Sequence, residues 1–399
     1  MTNASFMHPF LRVRQLVMPK CIIFGAGCFD QTADEASRLG ARRALAVMDP
    51  VIAKMGYAEK MRIILEGKGI QVKIFDQVKP EPSVEVANKV TEFVRSADFD
   101  LVVGIGGGSS LDMAKAAAIM ARNEGSIEDY LGVGKVRSRL PLILIPTTGG
   151  TGSEVSVFLV FGRSDGVKDL VMSPLLQPDV AIVDPVLSST APPRVTASTG
   201  FDALSHAVES MLSVDSNAIT DCLNLEAIRL VGQHLRTAYY QGRNLEARMG
   251  MAMAATIAGI TLSNTGAVMG HAIAMQLGSK LHKPHGEMCS LTLPYAMKYD
   301  LPVAEKKLAK ISSALGIDTK SLSDEEAAMK GIELVRRLAE ELDMKTNLQQ
   351  LGVKKDELEG LVDQYLAGPA VELKWEPRDT NKSTLLQLYE DIWNGKLFN

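Results

Sequence analysis

The 399-residue sequence has few cysteines and places them far apart. None of the four forms the Cys-x-x-Cys pair that is typical of zinc and redox sites: Cys21, Cys28, Cys222 and Cys289. In a chain long enough for two ordinary cores, scattered cysteines are typical of reduced and mostly buried thiols. The sequence therefore predicts a reducing compartment, and we expect a cytoplasmic protein.

Basic stripes and long apolar runs are also missing. The formal net charge is −4, and no cluster of Lys and Arg indicates a nucleic-acid partner. Arg12 and Arg14 interrupt the N-terminal segment, which has no apolar run long enough for a signal peptide. The longest weakly polar stretch, Met249–Leu262, is too short to cross a bilayer and is expected to be a helix buried in a bundle. We therefore predict neither a membrane nor a nucleic-acid partner.

Short β-branched runs alternate with amphipathic stretches in the first half of the chain. This alternation is typical of strands joined by crossover helices in a parallel sheet. The predicted strands are Cys21–Phe24, Ala44–Val47, Gln71–Phe75, Leu101–Ile105, Leu142–Ile145 and Val180–Val183. The helical patterns between them are Asp34–Leu39, Ala53–Lys68, Ser83–Ser96 and Ser110–Arg122.

The strand signals stop after Asp184-Pro185, and the rest of the chain is almost entirely helical in pattern. The pair Pro192-Pro193 marks a natural boundary. We therefore predict a doubly wound, Rossmann-like α/β domain over residues 1–190 and an all-α domain over residues 191–399.

Two glycine-rich turns follow predicted strands, at the strand ends where open α/β sheets bind ligands. The segment GGGSSLD begins at Gly106 and leads into a helix, whose N-terminus suits a diphosphate. The segment PTTGGTGSE begins at Pro146, and its hydroxyls suit a nicotinamide, ribose or phosphate. Each turn also has a plainer interpretation, namely tight packing for the first and a Thr-rich turn for the second.

Asp49 follows the early strand Ala44–Val47. An acid at this place can hold the adenosine ribose hydroxyls and repel an added 2′-phosphate, which favours NAD over NADP. An Asp before a Pro is also a common helix cap, so both interpretations stay open here.

Two segments of the helical half carry three of the six histidines. Asp202 and His206 stand four residues apart, which places both on one face of a helix. His271 lies on a helical pattern, and His285 stands between a Pro and a Gly, where a turn meets a new helix. Three imidazoles and one carboxylate suit Fe(II) or Zn(II). Taken singly, an Asp–His pair is more often a surface ion pair or a cap. The other histidines are expected in a loop or in solvated or structural positions: His282, His8 and His234.

These motifs together resemble the iron-containing (group III) alcohol dehydrogenases, relatives of dehydroquinate synthase and glycerol dehydrogenase. The resemblance covers nearly the whole chain and rests on GGGSSLD at Gly106, PTTGGTGSEV at Pro146, PDVAIVDP at Pro178, TGFDALSHAVE at Thr199 and PHG at Pro284. It implies a dehydroquinate synthase-like fold with metal ligands at Asp202, His206, His271 and His285. It implies dinucleotide contacts at Asp49, Gly106, Gly107, Gly108, Ser109, Asp112, Thr147, Thr148, Thr151, Ser153, Lys168 and Leu187.

The resemblance further implies a cytoplasmic homodimer or larger homo-oligomer that interconverts alcohols with aldehydes or ketones. Many members carry a further His four residues after the third ligand, where this chain has Met275. Diol-handling members place a polar side chain where this chain has Phe158. We expect a substrate pocket that includes Phe158, Leu262 and Met275, with the proton leaving through water, the ribose hydroxyl or His282.

The predicted reaction is hydride transfer between NAD(H) and a small alcohol or carbonyl held by Fe(II) or Zn(II). One alternative keeps the fold and changes the chemistry to a hydroxyacid–oxoacid transhydrogenase or a sugar-phosphate cyclase. The cyclase would need many basic side chains for a substrate phosphate, and the site segments have few. An alternative of another class is a non-catalytic dinucleotide-binding protein.

Overall fold

The computed structural model of the chain describes residues 15–164, 167–368 and 374–398, so His8 lies outside the described residues. Its strands are β1 (Cys21–Phe24), β2 (Arg43–Val47), β3 (Gln71–Phe75), β4 (Leu101–Gly106), β5 (Gly132–Val133), β6 (Leu142–Pro146), β7 (Phe158–Gly162), β8 (Lys168–Met172) and β9 (Val180–Val183). The helices of the sheet-containing part are α1 (Thr32–Arg38), α2 (Pro50–Ile52), α3 (Ala58–Glu66), α4 (Val84–Arg95) and α5 (Gly108–Met120).

Six of these strands form one parallel sheet in the order β1-β9-β6-β4-β2-β3. The central strand β4 is buried along its whole length, because helices cover both faces of the sheet. All six predicted strands are confirmed to within one residue at either end. The chain runs outward from β2 to β3 and then returns to the other side of β2 as β4. Strand order therefore reverses between β2 and β4, and a ligand crevice is expected there.

One predicted helix is wrong as drawn. The pattern over Ala53–Lys68 suggested a single helix, whereas the structure has α2, a wide turn over Ala53–Tyr57, and then α3. Gly56 lies inside that turn with φ 94°, a left-handed conformation that breaks the helical hydrogen bonding. The hydrophobic period continues across the break, so the pattern alone did not reveal it.

A second, three-stranded sheet was not predicted. Strands β5, β8 and β7 form it in that order, with β7 and β8 paired antiparallel from Phe158↔Met172 to Gly162↔Lys168. Its short strands carry few β-branched residues, so their pattern was weak. Its strands come from both sides of β6 in the chain, since β5 precedes β6 and β7 and β8 follow it.

The rest of the chain is helical. Its helices are α6 (Pro193–Leu212), α7 (Ala218–Tyr240), α8 (Leu245–Thr265), α9 (Met269–Leu281), α10 (His285–Ala314), α11 (Asp324–Glu341), α12 (Leu358–Ala367) and α13 (Lys382–Asn394). The predicted α/β sheet followed by helices is therefore confirmed as the fold class. β9 ends at Val183 and α6 begins at Pro193, on either side of the predicted boundary at residue 190, which stays a prediction.

The stretch Met249–Leu262 lies within α8, which is largely buried in the helical core as predicted. No single helix among the described residues has the length and apolarity needed to cross a bilayer. Within the described ranges, only α8 and α9 taken together reach both, and they are bent by 107° relative to each other.

Candidate metal and dinucleotide site

The predicted dinucleotide residues gather at the carboxyl ends of three adjacent strands. In the register of the sheet, Gly106 at the end of β4 lies opposite Pro146 at the end of β6, so the two glycine-rich turns begin side by side. The backbone N–H of Thr147 donates to the carbonyl of Gly106 at 2.9 Å and joins them. β2 is the other neighbour of β4, and Asp49 follows it. The three sequence motifs therefore meet at the point where strand order reverses.

The first turn has the shape of a phosphate cradle. Gly107 caps the N-terminus of α5 in extended conformation, and no side-chain cap hydrogen bond forms there among the residues that the structure describes. A Cβ at Gly106 would lie 2.6 Å from the Ser110 side chain, and one at Gly108 would lie 2.9 Å from Thr151. Gly106 has a φ of 146°, which favours glycine. Because no side-chain cap occupies the helix N-terminus and the turn consists of three glycines, the cradle fits a diphosphate.

The second turn connects the sheet to the helical part. A Cβ at Gly150 would lie 2.4 Å from Thr199 of α6, and one at Gly152 would lie 2.5 Å from the Cα of Gly259 in α8. The backbone of Gly150 also lies next to the His206 imidazole. The turn with the predicted nicotinamide contacts therefore touches the helix with the first two predicted metal ligands.

Asp49 serves as a helix cap and also faces the first turn. One carboxylate oxygen accepts hydrogen bonds from Val51 N at 2.8 Å and Ile52 N at 3.0 Å. The interpretation of Asp49 as a helix cap is therefore confirmed for this oxygen. The other oxygen lies 3.4 Å from Ser110 Oγ, at the start of α5. A single carboxylate therefore caps α2 and places negative charge beside the triple-glycine turn.

Other predicted dinucleotide contacts have partners within the protein. Asp112 accepts hydrogen bonds from Ser153 Oγ at 2.6 Å and from Val160 N at 3.1 Å, and burial raises the pKa of its carboxyl group. Lys168 on β8 is paired with Glu81, and Leu187 is buried in the core on one face of the sheet. Asp112 thus ties the first turn to the second turn and to β7. The remaining predicted contacts line the two turns: Ser109, Thr148 and Thr151.

The predicted metal ligands converge from three helices. Asp202 and His206 lie on α6, His271 on α9, and His285 is the first residue of α10, as its Pro and Gly neighbours predicted. The Nε2 atoms of His271 and His285 are 3.0 Å apart, and Asp202 Oδ1 lies 3.4 Å from His285 Nε2 and 3.6 Å from His206 Nε2. The His206 and His271 ring centroids are 4.9 Å apart.

These separations fit a divalent cation. Two N or O ligands on one tetrahedral ion, with bonds of about 2.1 Å, are roughly 3.4 Å apart. Burial lowers the pKa of His206 from 6.5 to about 4, and burial likewise lowers the pKa of His285 well below its ordinary value. Both imidazoles are therefore neutral at pH 7, as a metal requires. One carboxylate with three neutral imidazoles suits Fe(II) or Zn(II).

Surrounding residues hold these ligands in place. Glu209, one turn after His206, accepts a hydrogen bond from the backbone N–H of His271 at 2.9 Å, and its other oxygen lies 3.7 Å from His271 Nδ1. A carboxylate behind a ligating imidazole fixes the orientation of the ring. A Cβ at Gly286 would lie 2.0 Å from the Ser198 carbonyl oxygen, so only glycine lets α10 begin this close to α6.

Two family models match the chain, one for each part. Residues 19–185 match the model described as iron-containing alcohol dehydrogenase, and residues 196–393 match the C-terminal region of the same family. A long-chain-alcohol dehydrogenase of Geobacillus thermodenitrificans is 40% identical over 391 residues, covering 97% of this chain and 98% of the relative. The chain belongs to the iron-containing alcohol dehydrogenase family. It is an alcohol dehydrogenase, as the resemblance of its motifs implied.

Solved structures of two oxidoreductases share this fold over nearly the whole chain. A 1,3-propanediol oxidoreductase superposes with a TM-score of 0.92 at 32% identity, covering 96% of this chain and all of that one. A sulfoacetaldehyde reductase from Bifidobacterium kashiwanohense, solved in complex with NAD+, has a TM-score of 0.86 at 30% identity, covering 96% of this chain and 99% of that one.

One residue beside the candidate metal ligands of this iron-containing alcohol dehydrogenase was missed by sequence reasoning. Cys289 was predicted only to be a reduced, buried thiol. It is reduced and buried, but its Sγ lies beside the ligands, and Asp202, His271, His285 and Cys289 each place one donor atom within 4.8 Å of all the others. Cys289 follows His285 by four residues, the same spacing that identified Asp202 and His206, so the signal was present.

The predicted substrate-pocket residues lie on three different elements. Met275 is half-buried on α9, one turn after His271 and therefore on the same face. Leu262 is buried on α8, and Phe158 is half-buried at the start of β7. His282 is exposed and forms the left-handed C-cap of α9. His234 packs against Gly250, which is a structural role as predicted.

Proposed function

We propose that this alcohol dehydrogenase transfers hydride between NAD(H) and a small alcohol, aldehyde or ketone at a divalent metal. The observation that carries the proposal is the contact between the second turn and α6. The same turn that follows β6 touches Thr199 of α6, the helix that carries Asp202 and His206, so a nicotinamide held by the turn would lie next to the metal donors. Hydride transfer needs the cofactor and the substrate at such close range.

Asp202, His206, His271 and His285 would hold the cation. When bound, Fe(II) or Zn(II) acts as a Lewis acid that polarises the substrate oxygen and stabilises the negative charge that develops on it. The family points to iron. The chain itself supplies the placement, because helices α6, α9 and α10 carry the four donors and bring them together.

The coenzyme proposal is NAD, with NADP disfavoured. The bare N-terminus of α5 would bind the diphosphate, and the hydroxyls of the second turn would bind the ribose and nicotinamide. Asp49 lies at the switch point, and its negative charge favours ribose hydroxyls over a 2′-phosphate. The NAD+ complex of a relative at 30% identity supports this proposal.

The substrate proposal is a small alcohol or carbonyl compound with an apolar chain. Phe158, Leu262 and Met275 would line the pocket, and none of them offers a charge or a strong hydrogen-bond donor. With Met275 in place of a base, the proton would leave through water, the ribose hydroxyl or the exposed His282. A His282→Ala variant with unchanged activity would exclude the last route.

Initial rates test the function directly. Anaerobically purified protein is assayed with NADH and NADPH against short aldehydes, ketones and aldehyde acids, with and without added Fe(II), and its metal is quantified. We expect NADH-dependent reduction of apolar aldehydes that requires metal, and loss of metal in His271→Ala but not in the control His234→Asn. Full activity after complete metal removal, or equal rates with NADPH, would overturn the metal role or the coenzyme preference respectively.

We also propose a cytoplasmic homo-oligomer, on the strength of the family resemblance. Light scattering on the eluted protein measures the assembly, and a monomer at assay concentration would overturn this part alone.

A further inference from the structure

Cys289 lies among polar donor atoms rather than among apolar side chains. Its Sγ is 3.4 Å from His285 Nε2, 3.7 Å from Asp202 Oδ1 and 4.0 Å from His271 Nδ1. The side chain is buried at the start of α10, one turn after His285. A buried cysteine is usually a small apolar packing residue, and contact with one carboxylate and two imidazoles is unlike that role.

The separations around the sulfur are those of metal ligands. A sulfur bonded at about 2.3 Å and a nitrogen or oxygen bonded at about 2.1 Å to one tetrahedral ion are roughly 3.6 Å apart. The distances to His285 and Asp202 lie on either side of that value. Asp202, His271, His285 and Cys289 place one donor atom each within 4.8 Å of all the others, a compact group that comprises four donors.

We propose that Cys289 is a sulfur ligand of the divalent cation at this site, beside Asp202, His271 and His285. This inference deepens the proposed function and rests on it, because the cation is the one held there. As the sulfur–metal bond forms, the S–H bond breaks and its proton passes to solvent, while the metal keeps its oxidation state. His206, whose Nε2 lies 3.6 Å from Asp202 Oδ1, would remain a further donor at the same site.

A sulfur ligand changes which metals the site favours. Thiolates are soft ligands and favour Zn(II) and Co(II), whereas a site with only N and O ligands holds Fe(II) comparatively better. We therefore expect a stronger preference for zinc over iron(II) in this chain than an Asp and three His would give. Replacing Cys289 by Ser should lower the zinc affinity by at least about tenfold, the lower end for altered metal surroundings.

Cobalt substitution tests the sulfur ligand without an activity assay. The metal-free wild type, Cys289→Ser and the control Cys222→Ser are each loaded with one equivalent of Co(II) without oxygen, and their absorption spectra are recorded. Cys222 is exposed on α7, so its replacement should leave the site intact. We expect a sulfur-to-cobalt charge-transfer band in the near ultraviolet for the wild type and Cys222→Ser, and its loss in Cys289→Ser.

The outcomes separate this inference from the proposed function. Wild-type protein that binds Co(II) with visible ligand-field bands but without the sulfur band would overturn the role of Cys289 and leave the metal site standing. Failure of the folded wild type to bind Co(II) or Zn(II) would overturn both. A folded Cys289→Ser protein that no longer retains cobalt would support the sulfur ligand, since wild-type binding then depends on it.

Competition between metals gives a second measurement. Metal-free wild type and Cys289→Ser are each equilibrated with equal Fe(II) and Zn(II) without oxygen, and the retained metals are quantified after gel filtration. We expect the zinc-to-iron ratio to fall in the variant, because a sulfur ligand favours zinc. Equal ratios in the two proteins would overturn the claim about metal preference.

Discussion

Replacing Gly259 by Ala should destabilise the joint between the cofactor turn and the helical part. Gly259 lies in α8, and a Cβ there would be 2.6 Å from both the Cα and the carbonyl oxygen of Gly152, and 2.8 Å from Val155 Cγ2. Ordinary carbon contacts begin at about 3.5 Å. Two of the three atoms belong to backbone, so rotating a side chain cannot relieve the overlap.

The size of the effect follows from two opposing terms. Overpacking costs about 1–3 kcal/mol, and backbone overlap belongs at the upper end. Alanine gains roughly 1 kcal/mol over glycine inside a helix. We therefore expect Gly259→Ala to lower the free energy of unfolding by about 2 kcal/mol, the difference between these terms.

Gly360 is the matched control. It lies inside helix α12, is exposed, and has no atom of the described residues within 4 Å of an added Cβ. Gly360→Ala should therefore show only the gain of roughly 1 kcal/mol in helix stability, so the two variants are expected to change stability in opposite directions.

Urea denaturation followed by circular dichroism measures the stabilities, and fluorescence titration measures NADH binding. Gly152 belongs to the second turn, which is proposed to bind the ribose and nicotinamide. Gly259→Ala should therefore displace Gly152 and weaken NADH binding, whereas Gly360→Ala should leave NADH binding unchanged. If Gly259→Ala were as stable as Gly360→Ala and bound NADH like the wild type, the packing argument for this joint would be refuted.

Three further predictions concern the site. Asp49→Gly should raise the rate with NADPH relative to the rate with NADH, because the negative charge is removed. Asp49→Asn keeps the oxygen that caps α2, so any increase there comes from the loss of charge alone. Unchanged ratios of the two rates in both variants would contradict the role of Asp49. In metal-free protein, burial lowers the pKa of His206 from 6.5 to about 4, so between these pH values the unfolded state binds more protons than the folded state. The free energy of unfolding should therefore fall, by about 3 kcal/mol at most, as the pH drops from 6.5 to about 4. His206→Asn should flatten this dependence in denaturant titrations at several pH values, and an unchanged slope would assign it to other groups. Met275→His should add an ionisation to the pH profile of kcat, because an imidazole would then lie one turn after His271; a profile identical to the wild type would place residue 275 away from the proton path.

Several elements of the fold could be predicted because their signals are local. The strand β4 is a continuous apolar run followed by glycines, and the structure differs from the prediction there by one residue. The break at Gly56 and the strands β7 and β8 were missed because neither changes the hydrophobic pattern enough to be seen in a short window.

The site residues also divide into those that local spacing predicts and those whose contacts it does not predict. The spacing of Asp202 and His206 placed both on one face of α6, and the same rule applied to His285 would have included Cys289 in the site. Nothing local indicated that Asp112 would use both carboxylate oxygens on Ser153 and Val160, since these partners lie about forty and fifty residues away along the chain.

The sequence alone determined the six strands of the parallel sheet, the two glycine-rich turns, and the pairs of donors that share a helical face, because each depends on neighbours within a turn or two. The tertiary structure decided which donors meet. His271 and His285 approach Asp202 only because α9 and α10 pack against α6, and Gly286 permits that approach. The sulfur of Cys289 joins them for the same reason: distance between side chains on different helices is set by packing, which no local pattern encodes.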